Sequence, residues 1–158
     1  MARITMIRAF VRTGNSSGSG TDANVYLGIA GREFALSSAE INNFEAGSQY
    51  TYVLGAASNV EAPDYNNPVN PQLYTEWLTQ HPVYLRMDGS GTASAWEVDK
   101  VTVTVHIEGS SDNVAAATYS SPIIDGEDQT IWLDNGYGLQ LGLSPTTTPG
   151  DSDTAGNS

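Results

Sequence analysis

Cysteine is absent from the 158 residues, and with it go disulfides, thiolate metal sites and cysteine nucleophiles. Lysine occurs once, as Lys100, and the basic side chains number 6 against 18 acidic ones. Phosphate-backbone binding needs clustered Lys and Arg, so this balance argues against a nucleic-acid partner. The net charge of −12 also disfavours direct attraction to an anionic membrane. No apolar run approaches the roughly 18–20 residues that span a bilayer. The N-terminus alternates apolar with polar residues and lacks the continuous apolar segment of a signal peptide. A soluble chain is expected, in a compartment the sequence leaves open. Catalytic groups are scarce. His81 and His106 are the two histidines, no G-x-S-x-G occurs, and no spacing singles out a pair of carboxylates for acid–base work. No enzymatic activity is expected. The acidity has two plain readings, solubility or life in a salty or calcium-rich medium, beside a site-specific one.

What is present is a period of two. In Val101-Thr102-Val103-Thr104-Val105-His106-Ile107 the β-branched apolar residues face one way and Thr102, Thr104 and His106 the other, a half-buried strand. Similar alternation predicts strands over residues 3–12, 25–29, 50–54 and 83–87, with a short one around Phe34 and Leu36. Segments 130–133 and 139–143 read as a closing pair around the turn Asp134-Asn135-Gly136. About eight short strands separated by Gly, Asn, Asp and Ser predict an all-β sandwich or barrel. The best helical candidate, 71–78, begins with Pro71. It lies in a proline-rich stretch, 62–82, that reads as an insertion between two strands. The domain is expected to occupy 1–143, and the Thr-, Ser-, Gly- and Asp-rich residues 144–158 to form a polar tail.

Several motifs fail on context. Gly18-Ser19-Gly20-Thr21-Asp22-Ala23 fits a dinucleotide fingerprint but is followed by a strand rather than a helix. Asp88-Gly89-Ser90-Gly91 opens like an EF-hand loop, yet the next acid, Glu97, falls at the tenth position rather than the twelfth. Asn15-Ser16-Ser17 is a glycosylation sequon with meaning only in a secreted protein. His106 reads as an ordinary surface or half-buried residue. Three segments remain that are dense in oxygen donors: 18–24, 42–47 and 88–91. Calcium takes six to eight such oxygens, and glycine lets a loop turn its carbonyls inward. The same residues are also the ordinary chemistry of turns.

The order of these segments resembles the PLAT/LH2 domain family of lipoxygenases, animal lipases and polycystins. Val11-Arg12-Thr13-Gly14 ends a strand. Gly20-Thr21-Asp22-Ala23-Asn24-Val25-Tyr26 is like the family's GTDANVY, and Asn43-Phe44-Glu45-Ala46-Gly47-Ser48 like its N-x-F-E-x-G-S. Tyr84-Leu85-Arg86-Met87-Asp88, then Trp96-Glu97-Val98-Asp99-Lys100-Val101, and finally Trp132-Leu133 before Gly136 follow in the family's order. The chain departs from it at Met87, where a histidine is usual, in a missing proline before Trp96, and in the length of 62–82.

The resemblance implies an eight-stranded antiparallel β-sandwich of two four-stranded sheets. It implies a non-catalytic module that docks on membrane lipid or on another protein, with calcium as cofactor. Carried over position by position, the calcium ligands would be Gly20 through its carbonyl, Thr21, Asp22, Asn42, Asn43, Glu45 and Asp88. Asp99 is expected to fix the start of its strand, where the step from Val98 to Val101 suggests a bulge. Trp96 and Trp132 are expected as core anchors. Tyr65, Tyr74 and Trp77 of the insertion are the candidate partner contacts, their other reading being a cover over the sandwich's open end. A second function, a structural subunit of a larger assembly that could self-associate, uses the same scaffold.

Overall fold

The alternating segments become strands in a computed structural model that describes residues 2–89, 95–111, 113–122, 124 and 129–146. Nine strands are found among the described residues: β1 Ile4–Thr13, β2 Val25–Ile29, β3 Arg32–Ala35, β4 Gln49–Gly55, β5 Val83–Met87, β6 Trp96–Ile107, β7 Ala117–Ser120, β8 Ile131–Leu133 and β9 Gln140–Pro145. All pairings are antiparallel, in the order β3-β2-β5-β9-β7-β6-β1-β4, with β8 beside β6. Strand β9 makes the pairing continuous. Its residues 140–143 pair with β5 and its residues 144–145 with β7. The sheet curls, and both halves send alternate side chains into one apolar core, among them Ile7, Val11, Leu27, Phe34, Leu54, Leu85, Trp96 and Val103. No helix of the described residues is long and apolar enough to cross a membrane.

Four expectations need correction. First, β7 was not foreseen, because Ala-Thr-Tyr-Ser carries little apolar alternation; its pairing with Thr102–Val105 makes it a strand. Second, the segments around Asp134 do not pair with each other. The turn is present, closed by an Asp134–Gly138 bridge, but β8 joins β6 while β9 goes to β5 and β7. Third, only Thr75–Leu78 of the expected helix is helical, as a 3₁₀ turn. Fourth, His106 is buried, its Nε2 3.1 Å from Thr104 Oγ1, and Ile107 is half-exposed. A register shift between Ile4 and Met6 on the neighbouring β1 accompanies this change of face. The sheet also runs past the expected domain end, since Ser144 and Pro145 pair with β7; residues 147–158 of the expected tail lie outside the described residues.

Both ends of the strand order are protected by asparagine side chains acting as one-residue ladders. On β3, Ala35 N–H donates to Asn66 Oδ1 at 2.8 Å. On β4, Val53 N–H donates to Asn59 Oδ1 at 2.8 Å, and Asn59 Nδ2 donates to the Thr51 carbonyl at 2.8 Å. Unpaired edge groups invite pairing with another chain, and these amides block it. The 62–82 segment is stitched down by more of the same. The Arg32 guanidinium donates to the Asn67 and Tyr65 carbonyls, both at 2.9 Å, and Ile4 N–H donates to the Leu73 carbonyl at 2.9 Å.

Candidate functional site

The loops that end β1, precede β2 and β4, and follow β5 meet at one rim through their backbones. Gly14 N–H donates to the Glu97 carbonyl at 2.9 Å, and Gly47 N–H to the Gly14 carbonyl at 2.8 Å. Thr21 N–H donates to the Phe44 carbonyl at 3.0 Å, and Asp88 N–H to the Asn24 carbonyl at 2.8 Å. Two local features make this fit. A Cβ on Gly20 would sit 2.8 Å from both Phe44 O and Ala46 N, so glycine is required for the loops to touch. Phe44 adopts a φ of 60°, unusual for a side chain with a Cβ. That twist sends its ring into the core while its carbonyl faces the Gly20 loop. The ring stacks on Tyr52 at 5.5 Å and meets Trp96 edge-on at 5.0 Å.

A pocket of about 270 Å³ opens beside this seam, lined by Thr21, Asp22, Asn24, Ser37, Asn43 and neighbouring apolar residues. Thr21 is buried and its Oγ1 accepts a bond from Ala23 N–H at 3.1 Å, while Asp22 is exposed. Asn43 is fully engaged. Its Oδ1 accepts from Ser38 N–H at 3.0 Å and from the Tyr52 hydroxyl at 2.8 Å, and its Nδ2 donates to the Ser38 carbonyl at 3.1 Å. Burial, reinforced by Tyr50, pushes the Tyr52 phenol well above its ordinary range, so it stays a donor.

Of the seven sequence-derived ligands, the structure therefore brings Thr21, Asp22 and Asn43 to one pocket. Gly20 adjoins it through the Phe44 contact. Asn42 and Glu45 are exposed on the neighbouring loop, and Asp88 reaches the seam by its backbone bond to Asn24. Ser90 and Gly91 lie outside the described residues. No group of three Asp, Glu or His side chains gathers among the described residues. Thr21 and Asp22 supply the oxygen chemistry that calcium takes, with loop carbonyls beside them. The Asn43 side chain does not fit, because both acceptor positions of Oδ1 are taken within the protein.

The insertion aromatics lie elsewhere. Leu73 and Tyr74 meet the first residues of β1, and His81 lies beside Gly31 in the β2–β3 turn. That is the far end of β1 from Gly14, about 30 Å away for ten extended residues. Tyr74 and Trp77 are half-buried against each other at 5.2 Å, with Trp77 packed on the core, so they cover that end; Tyr65 is 79% exposed. The exposed aromatic on the rim is Tyr137, 77% exposed, in the turn between β8 and β9. Asn135 of that turn abuts Gly89, one residue past Asp88. Sequence reasoning missed Tyr137, although an aromatic inside Asn-Gly-Tyr-Gly is itself a signal of a side chain held at a loop tip.

A second cavity of about 430 Å³ lies across the seam, lined by Arg12, Thr13, Gly14, Asn15, Glu97, Asp99 and Thr130 among others. Arg12 Nε donates to Asp99 Oδ2 at 2.6 Å, and a register shift between Arg12 and Thr13 leaves Asp99 as the extra residue of a bulge. Both findings agree with a positioning role for Asp99. Trp96 is fully buried and donates from Nε1 to Thr13 Oγ1 at 2.9 Å, whereas Trp132 is half-exposed.

No protein-family model and no curated protein matches the chain. Solved structures do. Coral 8R-lipoxygenase, in which calcium activation acts via a C2-like domain, matches at a TM-score of 0.52 and 20% identity, over 90% of this chain and 17% of that one. The alpha toxins of Clostridium absonum and of an avian strain of Clostridium perfringens match at a TM-score of 0.54, with 18% and 16% identity. Each toxin match covers 90% of this chain and 32% of the toxin. The chain thus spans a minor part of the length of each of these proteins, and at such identities the likeness is one of fold: an all-β, C2-like architecture.

Proposed function

We propose that the chain is a non-catalytic docking module of the PLAT/LH2 kind, its curled sheet acting as two packed layers. In this reading it takes up calcium at the Gly14–Asp88 rim and presents that rim to a lipid surface. The observation that carries it is the pocket holding Asp22 and Thr21, built by glycine-dependent contact between two loops, in a fold shared with a lipoxygenase that calcium activates via a C2-like domain. Asp22 and Thr21 would hold the ion, with loop carbonyls completing the protein's share. Calcium there would neutralise the rim's acidic charge and so permit approach to anionic headgroups. With so few carboxylates, affinity falls in the weak range of roughly 10⁻⁴ to 10⁻³ M. Tyr137 is the contact side chain, its amphipathic ring suited to the lipid–water boundary.

The test is flotation with phosphatidylserine vesicles at millimolar calcium and in chelator, beside thermal melts in both conditions. The chain should float only with calcium, and Asp22→Asn should lose flotation together with the share of the calcium-dependent rise in Tm that the Asp22 pocket contributes. A rise without flotation would transfer the docking to a protein partner. The absence of both effects in the wild-type chain sinks the proposal.

A further inference from the structure

Glu97 occupies an unusual position for a carboxylate. It is the second residue of β6, 7% exposed, and packed so closely on Gly14 that any Cβ there would collide with it. Its Oε2 accepts a bond from the Thr130 hydroxyl at 2.8 Å. Its Oε1 is buried and has no hydrogen-bond partner among the described residues. A carboxylate taken out of water needs a charge or a full set of donors to remain ionised. The nearest cationic side chain lining the same cavity, Arg12, is committed through Nε to Asp99. Two acids, Glu97 and Asp99, and one guanidinium line the cavity, so acidic groups outnumber basic ones there.

We infer that the Glu97 cavity is a second cation site, distinct from the Asp22 pocket and taking a hard divalent ion of the calcium class. Glu97 supplies the anionic ligand through Oε1, and Asp99 lines the same cavity. Thr130 Oγ1 donates its proton to Glu97 and keeps its lone pairs. Asn15 and Ser16 are exposed on the cavity's mouth, where water completes the shell. The Arg12–Asp99 pair orients one acid while leaving Glu97 for the ion. Occupancy would tie the end of β1 to the start of β6, the two strands whose bulged junction frames the rim.

The inference is independent of the Asp22 reading, and calorimetric titration of the full chain with calcium separates the two. Wild type should show two binding events, Asp22→Asn should keep the Glu97 event, and Glu97→Gln should keep the Asp22 event. Without calcium, Glu97→Gln should melt close to the wild type, since the amide keeps the shape of the side chain and an acceptor for Thr130. At hundredfold excess, filling the Glu97 site should raise the Tm of Asp22→Asn by roughly 5–10 °C. If Glu97→Gln does not fold, terbium emission sensitised by Trp96 in Asp22→Asn reports the same site. Unchanged stoichiometry in Glu97→Gln, or no terbium signal and no calcium shift in Asp22→Asn, overturns the inference while leaving the Asp22 pocket standing. Loss of every event in Asp22→Asn does so as well.

Discussion

Substituting Gly20 by alanine tests the construction of the rim. The φ of Gly20 is not in the left-handed region, so the backbone itself accepts alanine. The obstacle is contact. The new methyl would stand 2.8 Å from Phe44 O and Ala46 N, both backbone atoms, where ordinary contact begins at 3.4 Å. The loops must part by roughly 0.6 Å, enough to forfeit a good share of the packing attraction along the seam. Overpacking costs about 1–3 kcal/mol. The Thr21–Phe44 bond, 3.0 Å at rest, loses part of the roughly 0.5–1.5 kcal/mol it contributes. The reduced freedom of the unfolded chain returns about 0.4–1 kcal/mol. The net expectation is a loss of about 1–3 kcal/mol, a fall in Tm of about 3–10 °C for a chain of this size. Gly142→Ala is the control, because a Cβ there meets nothing within 4 Å. Urea unfolding of both variants gives the comparison. A Gly20→Ala protein as stable as Gly142→Ala refutes the close contact, and with it the geometry assigned to the Asp22 pocket.

Three further outcomes rest on side-chain bonds elsewhere in the fold. Asn66→Ala strips the acceptor from Ala35 N–H and two bonds from the insertion, and should cost about 1–3 kcal/mol; it should also expose the β3 edge, seen as concentration-dependent association by light scattering. Tyr52→Phe removes one of the two bonds that Asn43 Oδ1 accepts and should cost about 1 kcal/mol in chemical denaturation while leaving the fold intact. Hydrogen bonding from Arg86, through two of its N–H groups, is the main cause that holds the Glu33 carboxyl below its ordinary value, with Tyr84 adding a third bond. A depressed acid contributes stability above its unfolded pKa of about 4.5 and loses it as pH falls through the lower folded value. Because the group is about one-third exposed, the effect should be small, and Glu33→Gln should flatten the acid limb of a Tm-against-pH curve without altering the neutral plateau.

The scaffold was legible where side chains alternate strongly. Val101, Val103 and Val105 on β6 and Val83, Leu85 and Met87 on β5 are buried as their spacing requires. It was illegible where tertiary pairing decides, as for β7, whose strand character comes from β6 rather than from its own residues. Asn43 shows the same limit at the site. Its motif marks it as a ligand, but the hydroxyl that occupies its Oδ1 comes from Tyr52 on the next strand, and no spacing rule announces that bond. Glu97 escaped for the opposite reason. On paper it is one residue of a strand, and only the approach of Gly14 and Thr130 turns it into a buried acid.

The placement of the insertion, by contrast, follows from strand direction alone. The Asn43–Gly47 loop lies on the rim and leads into β4, so β4 runs away from the rim and anything joining it to β5 begins at the far end. Since Asp88 follows β5 at the rim, β5 must enter from that far end too. Tyr74 and Trp77 therefore belong to the opposite pole from Asp22, and an ion at the rim cannot order them directly. The two poles are also built differently. The far one is pinned by side-chain amides and a guanidinium, Asn66, Gln72 and Arg32, with tyrosine and tryptophan rings filling the end of the core. The rim is joined mainly by backbone contacts between loops that require a glycine and a positive φ, above one acid in an open pocket and another buried beside it. A pole held by side-chain clamps needs no ion for its shape. Contacts between carboxylate-bearing loops gain most from one, which is the physical reason to propose docking at the rim rather than at the insertion.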